Sequence, residues 1–310
     1  MSHKFRHNAK MIWHTTRFKI DLTQPKIMGI VNVTPDSFSD GGQFAATASA
    51  LKHCEALLKD GADILDIGGE SSRPGAPPVS LEEELARVMP VLHEAVKLNM
   101  PISVDTYKPQ VMQAALDAGA DIVNDIWGFR RTDAGLSSAQ VVMQHGRCGL
   151  VMMHMHRDPQ TMQIQPMDTN EDVVQRVKAD LLSFYEHLAV IFCRLEADSP
   201  LSADGKMSLK QRLLIDPGIG FGKTVAQNFA LLARQSELLE LGFPLLAGWS
   251  RKSSLGAVTG LSEAKDRLIP SVTAALLSLE RGASVLRVHD VREMKQALTV
   301  WQAMRQSAVT

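Results

Sequence analysis

The stretch IMGIVNVTPDSFSDGG, residues 27–42, decides the fold that we predict for this chain of 310 residues. It opens with an apolar run of strand-forming residues, 27–33, which stops abruptly at a Thr-Pro-Asp sequence. Pro35 has no backbone N–H to donate to a strand ladder, so the strand ends there and a polar loop begins. Asn32 is left near the carboxyl end of the strand, where open α/β sheets and barrels place their chemistry. The stretch therefore predicts a buried strand that leads into a loop with a functional role.

A second pattern shows that such strands recur along the chain. It reads GADILD at 61–66, GADIVN at 119–124 and GASVLR at 282–287. Each copy has a glycine that ends a helix, a short strand, and a polar residue five positions after the glycine. Repeated joints of this kind indicate parallel strands connected by crossover helices.

Further apolar runs bring the number of strands to about eight, which is the number that closes a (β/α)8 barrel. These additional strands are predicted at 102–106, 150–154, 213–216 and 244–249. Helical spacing predicts helices at 45–59, 81–98, 109–118, 171–195, 228–241 and 269–281, and a polar surface loop is predicted at 199–210.

The predicted fold class is α/β, as a single-domain TIM barrel that spans residues 13–310. A flexible tail is expected at 1–12. No linker or shift in composition divides the chain. A doubly wound open sheet is the alternative, and the lack of a clear edge strand favours the closed barrel.

Composition narrows the possible partners. The chain has 33 Lys and Arg against 34 Asp and Glu, which gives no long-range attraction for nucleic acid or for an anionic membrane. The three cysteines are odd in number and lack metal-ligand spacing, so we predict reduced thiols. No secretory signal or apolar run long enough to span a membrane is visible, and we expect a cytoplasmic protein.

Polar residues follow the predicted strands at their carboxyl ends, and in a barrel they would converge on one mouth. Any one of them could be a satisfied polar group at a strand end, but burying the whole set is costly unless a ligand pairs with it. The set comprises Asn32, Glu70, Ser72, Arg73, Asp105, Asn124, His154, Asp216, residues 250–253, Arg287 and His289.

Several of these residues lie in motifs that resemble those of the dihydropteroate synthase family. The motifs are the opening stretch at 27–42, GGESSRPGA at 68–76, SVDTYKP at 103–109, NDIWG at 124–128, LIDPGIGFGK at 214–223, GWSRKSSLG at 248–256 and RVHD at 287–290. The resemblance implies an enzyme of folate biosynthesis that joins (7,8-dihydropterin-6-yl)methyl diphosphate to 4-aminobenzoate, forming 7,8-dihydropteroate and pyrophosphate. It also implies a small hairpin at 13–22 before the barrel, small-molecule substrates, inhibition by sulfonamides and a homodimer.

The resemblance also implies a role for each motif residue. The pterin would contact Asp105, Asn124, Asp216, Lys252 and Arg287. The diphosphate would contact Asn32, Ser72, Arg73, Arg287 and His289, with Ser72 keeping the hydroxyl of the threonine more often found there. The 4-aminobenzoate pocket would include Phe38, Pro74 and Ser253. Arg73, Lys252, His289 and Asp105 are the expected catalytic residues. Asn32 would coordinate a Mg²⁺ whose other ligands are pyrophosphate and water.

The first loop, residues 34–42, is expected to act as a lid that closes when the diphosphate binds. It is polar, ends in two glycines and carries Phe38 with nothing local to pack against, which suits a segment of low local stability. Asp36 is placed to reach the site when the loop closes.

Four other interpretations of these motifs are less well supported by the sequence. PGIGFGKT at 217–224 resembles a P-loop, but Pro217 stands where the first glycine is required. His154 and His156 could form a metal pair, although packing or lining of the mouth is the better interpretation. A methyltetrahydrofolate:corrinoid methyltransferase would share the pterin residues without needing the diphosphate residues. A non-catalytic pterin-binding paralogue would not need the first loop, 34–42, and the second loop, 68–76, to be intact.

Overall fold

The computed structural model describes residues 11–34, 42–71, 73, 75–159, 161–162, 164–198 and 207–307. Its strands, in chain order, are β1 Ile12–His14, β2 Lys19–Asp21, β3 Lys26–Asn32, β4 Ile64–Gly68, β5 Ile102–Asp105, β6 Ile122–Asp125, β7 Thr132–Asp133, β8 Leu136–Ser137, β9 Gly149–Met153, β10 Leu213–Asp216, β11 Leu246–Ala247 and β12 Val285–Val288. The first strand begins at residue 12, the last residue of the predicted tail and one residue before the predicted hairpin.

The helices lie between and after these strands. They are α1 Gly42–Asp60, α2 Leu81–Ala95, α3 Pro109–Asp117, α4 Ser138–His145, α5 Val173–Asp198, α6 Leu209–Arg212, α7 Val225–Ala233, α8 Ser253–Thr259, α9 Leu268–Glu280 and α10 Val291–Ser307. Short 3₁₀ helices cover Val96–Leu98, Gln235–Leu241 and Ala264–Asp266. None of the helices in the described ranges combines the length and apolar character that a bilayer crossing needs.

Eight strands form one parallel sheet, in the order β10-β9-β6-β5-β4-β3-β12-β11. A parallel bridge between Ile215 and Leu245 joins the two ends of this series, and the Ile215 N–H donates to the Pro244 carbonyl at 3.0 Å. The sheet therefore closes into a barrel with helices outside it. This confirms the predicted TIM barrel and rules out the open doubly wound sheet.

The predicted N-terminal hairpin is confirmed, and it has a packing role. Strands β1 and β2 pair antiparallel, and Trp13 is buried against the apolar layer at the amino ends of the barrel strands. The Trp13 indole N–H donates to the Arg212 carbonyl at 2.7 Å. A Cβ on Gly149 would lie only 2.9 Å from a Thr15 methyl carbon, so this close approach needs glycine. The hairpin closes the end of the barrel opposite the predicted site.

The predicted strands all overlap observed ones, whereas the helices were predicted less well. The helix expected at 228–241 is wrong in extent, because α7 stops at Ala233 and a 3₁₀ segment follows. The break is stabilised by the Gln235 side-chain amide, which donates to the carbonyls of Ser278 and Arg281. The loop expected at 199–210 is also wrong in part, since Ser208 caps α6.

Helices α4, α8 and α10 were not predicted. In α10 the residues Val291, Met294 and Leu298 are buried, and Ala297 and Trp301 pack against the same core, an apolar stripe that the sequence analysis did not use. Helices α4 and α8 are only eight and seven residues long. All three cysteines are free, and Cys54 and Cys148 are buried, in agreement with the prediction of reduced thiols.

Candidate active site

The centre of the barrel mouth is a hydrogen-bonded cluster around Arg287 on β12. The Arg287 Nε donates to Asp66 Oδ2 at 2.6 Å, and its Nη2 donates to Asp105 Oδ2 at 2.5 Å. The Asn124 side-chain amide donates to the same Asp66 oxygen at 3.1 Å. Strands β4, β5, β6 and β12 thus each contribute one polar side chain to this Arg287 cluster.

Burial and neighbouring charges together shift the pKa values of Asp105 and Arg287 in this cluster. Burial raises the pKa of Asp105, and the Asp66 carboxylate adds to this effect while Arg287 opposes it. Burial alone would lower the pKa of Arg287, but Asp66 and Asp105 outweigh it and raise that pKa above the ordinary value. Arg287 is therefore a permanent cation whose guanidinium plane is held by two carboxylates.

Asp66 is a site residue that the sequence reasoning did not assign. It is fully buried, and its Oδ1 has no hydrogen-bond partner within the described residues. The signal was present, because Asp66, Asn124 and Arg287 are the fifth-position residues of the three repeated αβ joints. In parallel strands of similar register, these positions reach the same layer of the barrel.

Asp216 lies at the end of β10 and is 6% exposed. Its Oδ1 accepts a hydrogen bond from the Gly218 backbone N–H at 2.7 Å. Burial raises the pKa of this carboxyl, against the opposing effects of that bond and of the charges on Lys252, Arg287 and Lys223.

Lys252, in the turn after β11, faces the loop that follows Asp216. Its Nζ lies 4.2 Å from the centroid of the Phe221 ring, at cation–π distance. Burial lowers the pKa of Lys252 to about 8, while the carboxylates of Asp216 and Asp105 act in the opposite direction. Asp216, Phe221 and Lys252 thus form a second group of site residues beside the Arg287 cluster.

The lysine of the P-loop-like motif points into the protein. Lys223 is 2% exposed, and its Nζ donates to the carbonyls of Gly218 and Phe221 and contacts His154 Nδ1 at 2.9 Å. The His154 carbonyl, at 3.4 Å, is a fourth acceptor, so protein atoms are available for every N–H of Lys223 Nζ. The motif therefore does not present its lysine to a phosphate, which excludes the P-loop interpretation.

Both ring nitrogens of His154 contact side chains of the protein. Nδ1 contacts Lys223, and Nε2 lies 3.1 Å from Asp180 Oδ2. Burial and the Lys223 charge lower the pKa of His154 to about 3, so the ring is neutral and its proton lies on Nε2, facing Asp180. This agrees with the interpretation of His154 as a packing residue at the mouth.

His289 follows β12 and pairs with the turn after β11. The Ser250 hydroxyl lies 2.9 Å from His289 Nδ1 and accepts from the His289 backbone N–H at 3.1 Å. Burial lowers the pKa of His289 to about 3, and the charges of Arg251, Arg287, Arg73 and Lys252 lower it further. The ring is therefore neutral, and the Ser250 contact at Nδ1 holds its orientation.

The base of the second loop is tied down by a buried charge cluster. Lys108 contacts the carboxylates of Glu70 and, at 2.5 Å, Glu84. The Tyr107 hydroxyl also donates to Glu70, at 2.7 Å. Residues of this cluster and Asp105 line one cavity beside the mouth. Arg73, further along the loop, is exposed.

The remaining predicted site residues are placed as follows. Asn32 ends β3, half-buried, in register with Gly68. Ser253 is exposed at the first position of α8. Asp36, Phe38, Ser72 and Pro74, like most of the expected lid at 34–42, lie outside the described residues.

Comparisons with known proteins agree with this geometry. A sequence profile of the family described as "Pterin binding enzyme" matches residues 28–191 and 204–289. Dihydropteroate synthase of Neisseria meningitidis serogroup B is 46% identical over 301 residues, covering 96% of this chain and 98% of that protein. The chain belongs to the dihydropteroate synthase family.

Solved structures of dihydropteroate synthases share its fold. The enzyme of Xanthomonas albilineans, solved with 4-aminobenzoic acid, has a TM-score of 0.83 and 43% identity, covering 96% of this chain and 99% of that chain. The enzyme of Burkholderia cenocepacia, complexed with 7,8-dihydropteroate, has a TM-score of 0.79 and 44% identity, covering 96% and 97%. The family expected from the motifs is thereby confirmed.

Proposed function

We propose that this chain catalyses the condensation of (7,8-dihydropterin-6-yl)methyl diphosphate with 4-aminobenzoate, releasing pyrophosphate. The observation that carries the proposal is the meeting of Asp105, Asn124 and Arg287 in one hydrogen-bonded cluster at the mouth of a barrel from this family. The test is an assay of pyrophosphate release. Release that depends on 4-aminobenzoate supports the proposal, and release that does not depend on it contradicts the proposal.

The pterin is held at the floor of the mouth. Asp216 has one oxygen engaged by Gly218, and its other oxygen can accept an N–H from the amino-pyrimidine edge of the ring. Asp105 and Asn124 offer further polar contacts, and Lys252 adds a cation beside the ring. Arg287, fixed by its two carboxylates, presents a flat cation against which a planar heterocycle can stack.

The chemical difficulty is breakage of the C–O bond to diphosphate, since the attacking aryl amine is neutral at pH 7. The leaving diphosphate gains negative charge. Arg73, His289 and Ser72, the diphosphate residues of the motifs, would stabilise that charge. The methylene carbon left behind can share its positive charge with the electron-rich dihydropterin. A dissociative displacement therefore suits these residues better than one that needs a strong general base.

The proposal includes Mg²⁺ that arrives with the diphosphate. Within the described residues no three His, Cys, Asp or Glu side chains are grouped to hold a metal ion. A single amide oxygen from Asn32 suits Mg²⁺, which usually keeps phosphate oxygens and water as its other ligands. When bound, the ion would neutralise part of the diphosphate charge.

Replacement of the diphosphate residues should separate turnover from pterin binding. Arg73→Ala and His289→Ala are expected to lower kcat about 100- to 1000-fold, because each removes a donor to the developing charge. The affinity for a free pterin should stay nearly unchanged in calorimetric titration. A variant that loses pterin binding but keeps its turnover at saturation would show that these roles are assigned wrongly.

Sulfonamides are expected to compete with 4-aminobenzoate, because their aryl amine mimics the attacking nucleophile. Steady-state rates at several inhibitor concentrations should show a rising apparent KM for 4-aminobenzoate and a constant kcat. Noncompetitive inhibition would contradict a shared pocket around Phe38, Pro74 and Ser253.

We also propose a homodimer. Exposed apolar side chains lie on three helices near the C-terminus: Val258 on α8, Ile269 and Leu277 on α9, and Val300 and Met304 on α10. Single exposed apolar residues are ordinary, but a set on neighbouring helices suits burial against a second copy. Light scattering should give a mass near twice 34.0 kDa. A monomeric mass at micromolar concentration would contradict the dimer.

A further inference from the structure

The turn after β11 is joined to the end of β12 by two consecutive contacts. Ser250 bonds with His289, as described above. The next residue, Arg251, directs its Nε to Asp290 Oδ2 at 3.1 Å and its Nη2 to Asp290 Oδ1 at 2.5 Å. This bidentate ion pair, here called the Arg251–Asp290 clamp, joins two segments that carry residues expected to bind substrate.

Arg251 adopts a backbone conformation that is unfavourable for a residue with a side chain. Its φ is +59°, in the left-handed region. The conformation is stabilised from both sides, because the Arg251 N–H donates to Ser271 Oγ at 2.8 Å and the Arg251 carbonyl accepts from Arg267 at 3.0 Å. Strain that is held by so many contacts is characteristic of functional sites.

Each residue of the clamp is a chain neighbour of a residue expected to bind one end of the substrate. Lys252 follows Arg251 and is expected at the pterin, while His289 precedes Asp290 and is expected at the diphosphate. We propose that the Arg251–Asp290 clamp is a positioning device that fixes the spacing of Lys252 and His289, so that both ends of the pterin diphosphate are bound at once. This inference rests on the proposed function.

Rigid spacing has a specific thermodynamic consequence. A ligand that spans two subsites gains from their correct separation, because binding of its first end places its second end at high effective concentration. A ligand that fills one subsite gains nothing from that separation. Loosening the clamp should therefore weaken the linked substrate and leave each separate end unaffected, and small misplacements of catalytic groups can slow a reaction about 100-fold.

The experiment uses Asp290→Asn, which keeps the shape of the side chain, and Arg251→Lys, which keeps the charge but loses the planar fork. The control is Asp172→Asn, because Arg234 contacts both oxygens of Asp172 in an exposed pair that involves none of the expected site residues. Each variant is titrated with 6-hydroxymethylpterin and, separately, with pyrophosphate and Mg²⁺. kcat/KM for the pterin diphosphate is then measured at saturating 4-aminobenzoate.

The clamp variants should lose about 10- to 100-fold in kcat/KM, with both separate affinities within about threefold of those of the unmodified chain. Asp172→Asn should change none of these quantities. Two results would overturn the inference: kcat/KM within threefold in both clamp variants, or separate affinities that fall as far as kcat/KM. If one variant fails to fold, the other provides the same comparison. Failure of the proposed function has a different signature, since the unmodified chain would then show no pyrophosphate release dependent on 4-aminobenzoate.

Discussion

Asp216→Ala is expected to weaken binding of a free pterin by about 2–5 kcal/mol, which is the usual effect of removing one partner from a buried, charge-assisted contact. The carboxylate is buried at the end of β10 and faces the cations Lys252, Arg287 and Lys223. Without it, the amino-pyrimidine edge of the ligand would lose its acceptor and the three cations would lose a counter-charge. Isothermal titration calorimetry with a pterin measures the change directly.

Asp216→Asn is the matched control for folding. The amide keeps the volume of the side chain, and its oxygen can still accept the Gly218 N–H. It places a donor where the ligand requires an acceptor, so pterin binding should fall nearly as far as in Asp216→Ala. Thermal melting of Asp216→Asn should stay close to that of the unmodified chain. Unchanged pterin affinity in both variants would refute the role assigned to Asp216.

Lys108→Met is expected to lower the free energy of unfolding by about 3–5 kcal/mol, since it leaves buried carboxylates without their cation. Glu84 is 1% exposed, and Lys108 is almost as deeply buried. The other carboxylate partner of Lys108 is Glu70, at the base of the second loop. The variant should therefore also lose activity where it remains folded, because this loop carries Ser72 and Arg73. Urea unfolding followed by circular dichroism gives the change in free energy from the shift in midpoint.

Lys97→Met is the control, because Lys97 forms an exposed pair with Glu94 on the protein surface. Pairs of that kind contribute about 0–1 kcal/mol, so little change is expected. The double variant Lys108→Met, Glu84→Gln should recover part of the lost stability, because it removes one of the two uncompensated charges. Equal effects of Lys97→Met and Lys108→Met would contradict the assigned role of the buried cluster.

The expected roles of single residues remain predictions, but their positions can be compared with the sequence reasoning. Asp105, Asn124, Asp216, Lys252, Arg287 and His289 all lie at the carboxyl ends of the barrel strands or in the turns after them, as predicted. Asp66 was the main omission. Its motif has the same form as an ordinary αβ joint, so the motif alone does not indicate a site residue. Its contact with Arg287 spans 221 positions in the chain, which local patterns do not reveal.

The sequence by itself determined the positions of the barrel strands and the list of polar residues at the mouth. These follow from local signals, because strand-forming runs, helix-ending glycines and prolines act over a few residues. Only the tertiary structure decided which charges pair. It turned Lys223 inward toward acceptors of the protein itself, tied Arg287 to Asp66 and Asp105, and joined Arg251 to Asp290. Such pairs depend on strand register and on which face each side chain takes, and closure of the barrel sets both across long separations in the chain.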